Sequence, residues 1–338
     1  WLFPTVYKYI SESGDSAFLD EVIFYANNGE KDTVYDHLKR AIKFSMDNLG
    51  AHGMPAGLHA DWNDCLRLGK LGESTFVAFQ LVYAIKILKK YAEEKNDTEY
   101  IKYLDGVMAK LDPILAACWN EDRWIRGYKE DGTVIGQRTD PEANMWLNPQ
   151  SWSVISGYAS KEQAEKAMDS VERELNTPYG AMVMYPPYNK HGFDGALMQC
   201  FNACTKENAG IFSQPQGWII LAESLAGHGN RAFEYFEESS PASMNDKAEF
   251  VGFTDDNRKQ YTIEIGTLEE LLQIVRETRT FINLATPYRK GMLWNIEVCD
   301  DGVWEDMDDE IRHKVTDDNT YRNQSFMKAP CHMARGVR

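Results

Sequence analysis

The chain of 338 residues lacks any long apolar run. Its hydrophobic stretches are broken by charge or glycine well short of the ~18 residues that a membrane-spanning helix needs. Because no basic region precedes an apolar core at the N-terminus, no targeting signal is visible and we expect a cytoplasmic protein. The hydrophobic content of 43% is ordinary for a globular protein that folds by burying apolar side chains.

Cysteines are few and scattered. Of the six, only Cys200 and Cys204 lie close together, without a second pair or histidines at zinc spacing. The histidines His52, His59 and His191 show no metal spacing either, and glycine-rich phosphate loops are absent. We therefore expect free thiols in a reducing compartment, no metal and no cofactor.

Positive charge is also scarce. The chain has 36 lysines and arginines against 52 acidic residues, which gives a formal net charge of -16. Nucleic-acid binding draws most of its affinity from neutralised phosphates, so we expect neither nucleic acids nor anionic membrane surfaces as partners. A small phosphate-bearing substrate remains compatible, because one or two local arginines outweigh a distant negative field inside a cleft.

What the sequence does contain is the chemistry of a sugar site in one short segment, GLHADWNDCLRL, at residues 57–68. Its core, Asp61, Trp62, Asn63 and Asp64, places two carboxylates around an indole and a carboxamide. A glycosidic bond needs a carboxylic acid to protonate its bridging oxygen, an aromatic face for the sugar ring, and polar groups for the hydroxyls. The segment offers all three.

Helical periodicity dominates the rest of the chain. Apolar spacing and caps predict helices at 33–49 with Gly50 as the C-cap, 74–92, 98–117 with an interruption near Pro113, 160–175 opened by a Ser160/Gln163 capping box, 216–226 ended by Gly227, and 230–238. Long loops at 120–151 and 177–208 exceed ordinary connectors and indicate function. Helix hairpins joined by alternating short and long loops predict an all-α toroid with the long loops at one mouth, against the alternative of an irregular helical bundle.

The sequence changes character at residue 250. Residues 251–265 are typical of two strands around an Asp-Asn turn, and residues 267–280 of a helix with a Thr267/Glu270 capping box. We therefore expect a helical part at 1–249 and a small α/β tail at 250–338.

Three stretches carry a family resemblance. They are DWND with the Gly72-Glu73-Ser74 opening of the next helix, WLNPQSWSVISG at 146–157, and residues 175–218 with LNTPYG, YPPY and KENAGIFSQPQGW. Together, and collinearly over residues 1–249, they resemble the inverting glycoside phosphorylases of the cellobiose and chitobiose phosphorylase type, glycoside hydrolase family 94. The resemblance implies an (α/α)6 barrel, a six-hairpin toroid, of which this chain would hold an incomplete, C-terminal catalytic part.

The resemblance also implies an activity. A β-linked disaccharide or short oligosaccharide, cellobiose-like, would be cleaved with inorganic phosphate as co-substrate, giving an inverted sugar 1-phosphate and a shorter sugar. On the family's motifs, Asp64 falls on the general acid, Trp62 on an aromatic of the sugar subsites, and Glu207 on a carboxylate that holds sugar hydroxyls. Gln214 stands where the family's phosphate site commonly has a histidine. A glutamine can donate a hydrogen bond to phosphate but carries no positive charge.

One acid suffices for this reaction, because phosphate is already an anionic nucleophile. Asp64 must then hold a proton near neutral pH, which its burial or the neighbouring charge of Asp61 would favour. For Asp61 itself we expect a bracing role beside the sugar site. Trp146, Trp152 and Trp218 are expected in the core, with one of them lining the cleft.

Two alternatives stay open. An inverting glycoside hydrolase on the same barrel would release free sugar without phosphate, with Glu207 or another carboxylate as its base. A catalytically inactive carbohydrate-binding fragment is the other. Because an incomplete toroid would expose apolar helix faces, we also expect association, of which a homodimer is one form, or instability, or a partner that supplies the missing half.

Overall fold

A computed structural model describes residues 1–26, 29–188, 204, 206–240 and 243, together with the backbone of two strands farther along the chain. This part of the chain is mostly helical. Its eight α-helices are α1 (Leu2–Ser13), α2 (Val34–Asp47), α3 (Thr75–Glu94), α4 (Thr98–Ala116), α5 (Leu147–Ile155), α6 (Lys161–Glu174), α7 (Ser213–Ala226) and α8 (Gly229–Ser239), and a 3-10 helix (Ser16–Asp20) follows α1.

The strands are short and antiparallel. They are β1 (Val22–Phe24), β2 (Lys31–Thr33), β3 (Glu73–Ser74), β4 (Trp119–Asn120), β5 (Arg123–Trp124), β6 (Gly127–Tyr128), β7 (Val134–Ile135), β8 (Met145–Trp146), β9 (Met184–Tyr185), β10 (Thr280–Asn283) and β11 (Asn295–Val298). One sheet has three strands in the order β3-β6-β7, with Ser74 opposite Gly127 and Gly127 opposite Ile135. The others are the pairs β1-β2, β4-β5, β8-β9 and β10-β11.

Helix α5 is the centre of the helical packing. It contacts α3, α6 and α7, and all of its residues from 147 to 154 are buried. Three short-linked pairs, α3 with α4, α5 with α6 and α7 with α8, pack within themselves, while α3, α5 and α7 contact one another in series. The described helices therefore form an inner row of α3, α5 and α7, each covered by the helix that follows it.

Most of the sequence-based helix predictions are confirmed. The capping box of α6 is present with both of its hydrogen bonds, 3.2 Å from the Gln163 N–H to the Ser160 hydroxyl and 3.1 Å from the Ser160 N–H to the Gln163 side chain. Gly227 ends α7 in the left-handed conformation, with φ 92°. These local signals worked because each of them satisfies backbone groups that a helix end leaves unpaired.

Two predicted helix boundaries are wrong. Gly50 is not a C-cap, since α2 ends at Asp47; an added Cβ at Gly50 would lie 2.3 Å from Cγ of Glu73, so close packing explains this glycine. Pro113 does not interrupt α4, which continues to Ala116. A proline removes only its own backbone hydrogen bond, and the buried side chains of Leu111 and Leu115 pack on either side of it, so the helix continues.

The loop predicted at 120–151 is also wrong at its end, because α5 begins at Leu147. Helix α7 begins at Ser213, three residues earlier than predicted. In α5 the polar residues Asn148, Gln150 and Ser151 are as buried as the apolar ones. The buried face therefore does not alternate with a polar face, and the helical period is hidden. Helix α1 was not predicted at all.

Two buried carboxamides on helices fasten connecting segments to the helical scaffold, and a third, on a turn, makes the same kind of contact near the candidate site. Gln150 on α5 accepts the N–H of Trp124 and donates to its carbonyl, both at 2.8 Å. Gln216 on α7 makes the same pair of bonds to Ala181, again at 2.8 Å. Each side chain thereby replaces a neighbouring strand for one residue of extended backbone.

Several expectations about the surface and about residues 250–338 are not tested by the structure. No helix in the described part is long and apolar enough to cross a membrane. Exposed apolar side chains occur on α7 and α8, namely Leu221, Leu225, Phe233 and Phe236. A homodimer, a cytoplasmic location and the boundary between 1–249 and 250–338 stay predictions. The strands and helix expected at 251–280 lie outside the described residues, apart from the first residue of β10.

Replacing Gln150 tests the first carboxamide contact. Gln150→Leu keeps the side-chain volume but leaves the N–H and C=O of Trp124 buried without partners, so we expect the free energy of unfolding to fall by about 1–3 kcal/mol in a urea titration. Gln80→Leu, at a half-buried position of α3 outside these contacts, is the matched control. Equal stability of the two variants would contradict the importance of the contact.

Candidate active site

The DWND segment lies on a loop that two backbone hydrogen bonds close at its base. The N–H of Gly57 donates to the carbonyl of Gly72 at 2.8 Å, and the N–H of Leu58 donates to that of Lys70 at 3.0 Å. Gly72 leaves no room for a side chain, because an added Cβ would lie 2.3 Å from the carbonyl oxygen of Leu68. The loop is therefore compact and leads directly into β3 and α3.

A buried ion pair braces the inside of this loop. Arg126, fully buried between β5 and β6, directs Nη2 to Oδ1 of Asp61 and, at 3.0 Å, to Oδ1 of Asn63. Its Nη1 donates to the hydroxyl of Ser74, the N-cap of α3, at 2.6 Å. Oδ1 of Asp61 also accepts the N–H of Asn63 at 3.0 Å. With its side chain 2% exposed, Asp61 belongs to the frame of the loop rather than to its accessible surface.

The loop also contacts the first turns of α5 and α7. Nδ2 of Asn148 on α5 donates to Oδ1 of Asn63 at 3.3 Å. Nε1 of Trp62 donates to Oε1 of Gln214, the second residue of α7, at 2.7 Å. Together with the bond to Ser74, these contacts bring the N-terminal ends of α3, α5 and α7 to a single loop.

An aromatic cluster supports Trp62. The half-buried indole meets Phe212 and Trp218 edge to face, with centroids 5.4 and 5.2 Å away. Trp218 in turn contacts Trp152 at 5.9 Å. Trp146, Trp152 and Trp218 are all buried, as core tryptophans are, and Trp218 reaches the candidate site through Trp62.

Asp64 and Glu207 come together around a cysteine. Burial raises the pKa of the Cys65 thiol to about 11, and the carboxylates of Glu207 and Asp64 add to this effect while Lys206 opposes it. Glu207 lies within hydrogen-bonding reach of the thiol. It is 7% exposed, and its Oε2 has no hydrogen-bond partner among the described residues. Two carboxylates far apart in sequence therefore share one small region.

The turn that carries Glu207 is held by its neighbours. Asn208 accepts the N–H of Tyr188 at 2.8 Å and donates to its carbonyl at 2.9 Å, the third of the carboxamide contacts. The N–H of Gly210 donates to Lys206 at 2.9 Å, closing the turn. The placement of Glu207 therefore depends on this turn and on the contact of Asn208 with Tyr188.

The two carboxylates of the DWND segment differ in exposure. Asp64 is exposed, whereas the side chain of Asp61 is buried and paired with Arg126. The reason is that Arg126 draws Asp61 to the inner side of the loop, while the backbone continues outward to Asp64.

The structure describes two of the three histidines considered in the sequence. His59 is exposed, and His52 contacts the buried Glu73 through Nδ1 at 2.6 Å and stacks on Tyr128 with centroids 3.8 Å apart. His191 lies outside the described residues. Within the part of the chain that the structure describes, no three His, Cys, Asp or Glu side chains are placed to hold a metal ion.

Sequence reasoning missed Arg126 and Asn148. Both are buried polar residues, and both donate a hydrogen bond to Oδ1 of Asn63. Arg126 follows the apolar pair Trp124-Ile125, and an arginine directly after such a pair was the available signal. Its partners, 52 to 65 positions away in the chain, could not be read from the sequence.

Comparison with known proteins decides the family. The model of the glycosyl hydrolase 94 superfamily catalytic domain matches residues 1–254. The chain belongs to the glycosyl hydrolase 94 superfamily. The resemblance found on the DWND, WLNPQSWSVISG and KENAGIFSQPQGW stretches is therefore confirmed at the level of the family.

Several relatives in this superfamily are named as phosphorylases. The chain is 36% identical over 252 residues to the N,N'-diacetylchitobiose phosphorylase of Vibrio furnissii, covering 73% of this chain and 31% of the relative. It is 30% identical over 257 residues to the solabiose phosphorylase of Paenibacillus borealis, covering 75% and 33%. It is 31% identical over 252 residues to the cellobionic acid phosphorylase of Neurospora crassa, covering 71% and 31%. The chain thus spans about a third of the length of the curated relatives it matches.

The contact between Cys65 and Glu207 can be tested by thiol labelling. Only the thiolate is alkylated, so with a pKa of about 11 we expect slow labelling of Cys65 at pH 8, rising about tenfold per pH unit until pH 11 is approached. Glu207→Gln removes the negative charge, which lowers this pKa and speeds labelling at pH 9.

Peptide mass spectrometry after iodoacetamide treatment measures Cys65 separately from the other thiols. Glu162→Gln, an exposed carboxylate on α6, is the matched control and should leave the rate unchanged. If Glu207→Gln behaves like this control, the two side chains do not interact.

Proposed function

We propose that this glycosyl hydrolase 94 protein cleaves a β-linked disaccharide or short oligosaccharide with inorganic phosphate and inversion at the anomeric carbon. The observation that carries the proposal is the DWND loop, which presents an exposed Asp64 beside Trp62 and the buried Glu207. Its support is the family and the phosphorylase names of several relatives. In this proposal the inner row of helices is part of an (α/α)6 barrel with the loop at its mouth.

Asp64 acts as the general acid in this proposal. Its proton passes to the bridging oxygen as the bond from the anomeric carbon to that oxygen breaks. A phosphate oxygen attacks the anomeric carbon from the opposite face, so the products are a sugar 1-phosphate of inverted configuration and a shorter sugar that keeps the proton. Phosphate needs no base, and for this reason one carboxylic acid is enough.

Trp62 and Glu207 contact the sugar. The Trp62 indole is held in place by Phe212, Trp218 and Gln214, so its remaining half-exposed face offers a rigid surface for a pyranose ring. Oε2 of Glu207, which has no hydrogen-bond partner among the described residues, accepts a sugar hydroxyl in this proposal. Asp61 supports the sugar site indirectly, because Arg126 holds its carboxylate inside the loop.

Gln214 faces phosphate in this proposal. Its Oε1 already accepts the Trp62 N–H, so its two amide N–H donors remain for an anion. Gln214 also lies in the first turn of α7, whose N-cap Phe212 supplies no side-chain acceptor, and unpaired helix N–H groups at such an end favour phosphate. No other cofactor takes part in the proposed reaction.

The nearness of Glu207 to Asp64 favours one alternative, an inverting hydrolase in which Glu207 activates water. Incubation with cellobiose, cellodextrins and chitobiose, with and without phosphate, separates the possibilities. Sugar 1-phosphate that forms only with phosphate supports the proposal, and phosphate-independent reducing sugar supports the hydrolase. Binding without turnover would make the chain a carbohydrate-binding fragment.

Asp64→Asn tests the acid. It keeps the size of the side chain and removes the transferable proton, so we expect phosphorolysis of the disaccharide to fall by about 10²–10⁴-fold. A nitrophenyl β-glycoside, whose leaving group needs no proton, should lose far less activity. Release of sugar 1-phosphate is the measurement, and Asp47→Asn, an exposed residue at the end of α2, is the control. An unchanged rate on the disaccharide would refute the assignment of Asp64.

Gln214→His tests the phosphate contact. An ordinary histidine gains its charge below a pKa of about 6.5, so the variant should bind phosphate increasingly well from pH 8 to pH 6. The measured quantity is the phosphate KM of the variant divided by that of the wild type at each pH, which cancels the titration of phosphate itself. A ratio that does not change with pH would place Gln214 away from phosphate.

A further inference from the structure

Arg126 contacts the loop that carries the candidate acid, Asp64. It is fully buried, and its two terminal nitrogens reach three acceptors in two segments, Asp61 and Asn63 in the loop and Ser74 at the start of α3. Its guanidinium carbon also lies 5.3 Å from the Trp146 ring centroid, so aromatic packing fixes its plane. One side chain therefore ties the loop to the helical scaffold.

Asp64 has no such anchor of its own. Among the described residues, no hydrogen bond or ion pair fixes its carboxylate, which is exposed. Its position therefore follows from the backbone on either side. The preceding residue, Asn63, is held by its N–H to Asp61 at 3.0 Å and by its side chain to Arg126 at 3.0 Å.

We propose that Arg126 is the positioning residue for Asp64: it holds Asp61 and Asn63 so that the next carboxyl group projects toward the glycosidic oxygen. The proposal rests on the proposed function and deepens it, because it names the contact that sets the geometry of proton transfer. Arg126 itself touches neither substrate nor phosphate, and acts only through the loop.

Lysine is the informative substitution. It keeps the charge that compensates the buried Asp61, so it avoids leaving a carboxylate unpaired in the interior. An ammonium group on a flexible stem cannot reproduce the planar fork that reaches Asp61, Asn63 and Ser74 together. Arg126→Lys should therefore loosen the loop while leaving the charge balance intact.

Arg123 provides a matched control. It is an equally buried arginine three residues earlier, and it too makes charge-assisted bonds, to Asp122 at 2.8 Å and Glu174 at 2.6 Å. Its acceptors belong to the β4-β5 turn, to Asn144 and to α6, none of them in the DWND loop. Arg123→Lys should therefore cost stability without moving Asp64.

The first measurement is hydrogen exchange followed by mass spectrometry, which needs no turnover. Arg126→Lys should raise exchange in peptides covering residues 57–68 by about tenfold or more, and Arg123→Lys should raise it in α6 but not in that loop. Unchanged exchange at 57–68 in Arg126→Lys would overturn the proposal.

The second measurement compares two donors. A misplaced acid penalises a disaccharide, which needs the proton, and spares a nitrophenyl β-glycoside, which does not; displacement by about 1 Å costs about 100-fold. Arg126→Lys should lower the disaccharide kcat by this order, with a smaller change in KM and little change on the aryl glycoside. Arg123→Lys should lower both donors equally, in proportion to its folded fraction.

The outcomes separate the two proposals. If the wild-type protein shows no phosphate-dependent turnover of either donor, the proposed function fails, while the exchange measurement still tests the tie between Arg126 and the loop. If the wild type turns over and Arg126→Lys loses both donors equally, Arg126 has only a structural role and the positioning proposal is wrong.

Discussion

The candidate site depends on a buried charge pair. Bringing Arg126 and Asp61 out of water is costly, and the cost is offset only when the remaining donors and acceptors are also paired. Here Ser74 and Asn63 supply acceptors for the two terminal nitrogens of Arg126, and Asn63 is in turn bonded to Asn148. Oδ2 of Asp61 and Nε of Arg126 have no hydrogen-bond partner among the described residues. Because Asp61, Ser74 and Asn148 lie on different segments, these bonds form together only in one arrangement of the loop relative to α3 and α5. Pairing of the buried charges therefore also fixes the position of the loop.

A second set of polar contacts places the remaining segments. Gln150, Gln216 and Asn208 each bond both backbone groups of one extended residue, namely Trp124, Ala181 and Tyr188. A long connecting segment would otherwise bury backbone donors and acceptors without partners. Two helices, α5 and α7, and the turn that carries Asn208 therefore supply hydrogen bonds that a neighbouring strand would supply in a sheet.

Local signals in the sequence predicted much of the helical scaffold and little of the network. The capping box at Ser160, the glycine at Gly227 and the apolar periods of α2 and α3 depend on residues within one or two turns, and these predictions were confirmed. Helix α5 was missed because it is buried on all sides with polar residues inside. Motif chemistry selected Asp64, Trp62, Glu207 and Gln214. Their spacing in the chain could not show that Arg126 braces the loop or that Asp61 faces inward, since both facts arise from contacts over more than 60 residues.

The bond between Trp62 and Gln214 links the two halves of the proposed chemistry. It joins Trp62, which contacts the sugar in the proposed reaction, to Gln214 in the first turn of α7, which contacts phosphate in that reaction. The indole can only donate, so it must meet the oxygen of the carboxamide and leaves the amide nitrogen facing away. A neutral histidine at the same position would accept this bond through one ring nitrogen and donate with the other toward an anion, whereas a charged histidine carries a proton on both nitrogens and cannot accept the bond. The glutamine presents a donor in the same way but without a charge that depends on pH. In the proposed reaction Gln214 therefore offers phosphate a neutral donor, and the positive charge that binds phosphate comes from other residues.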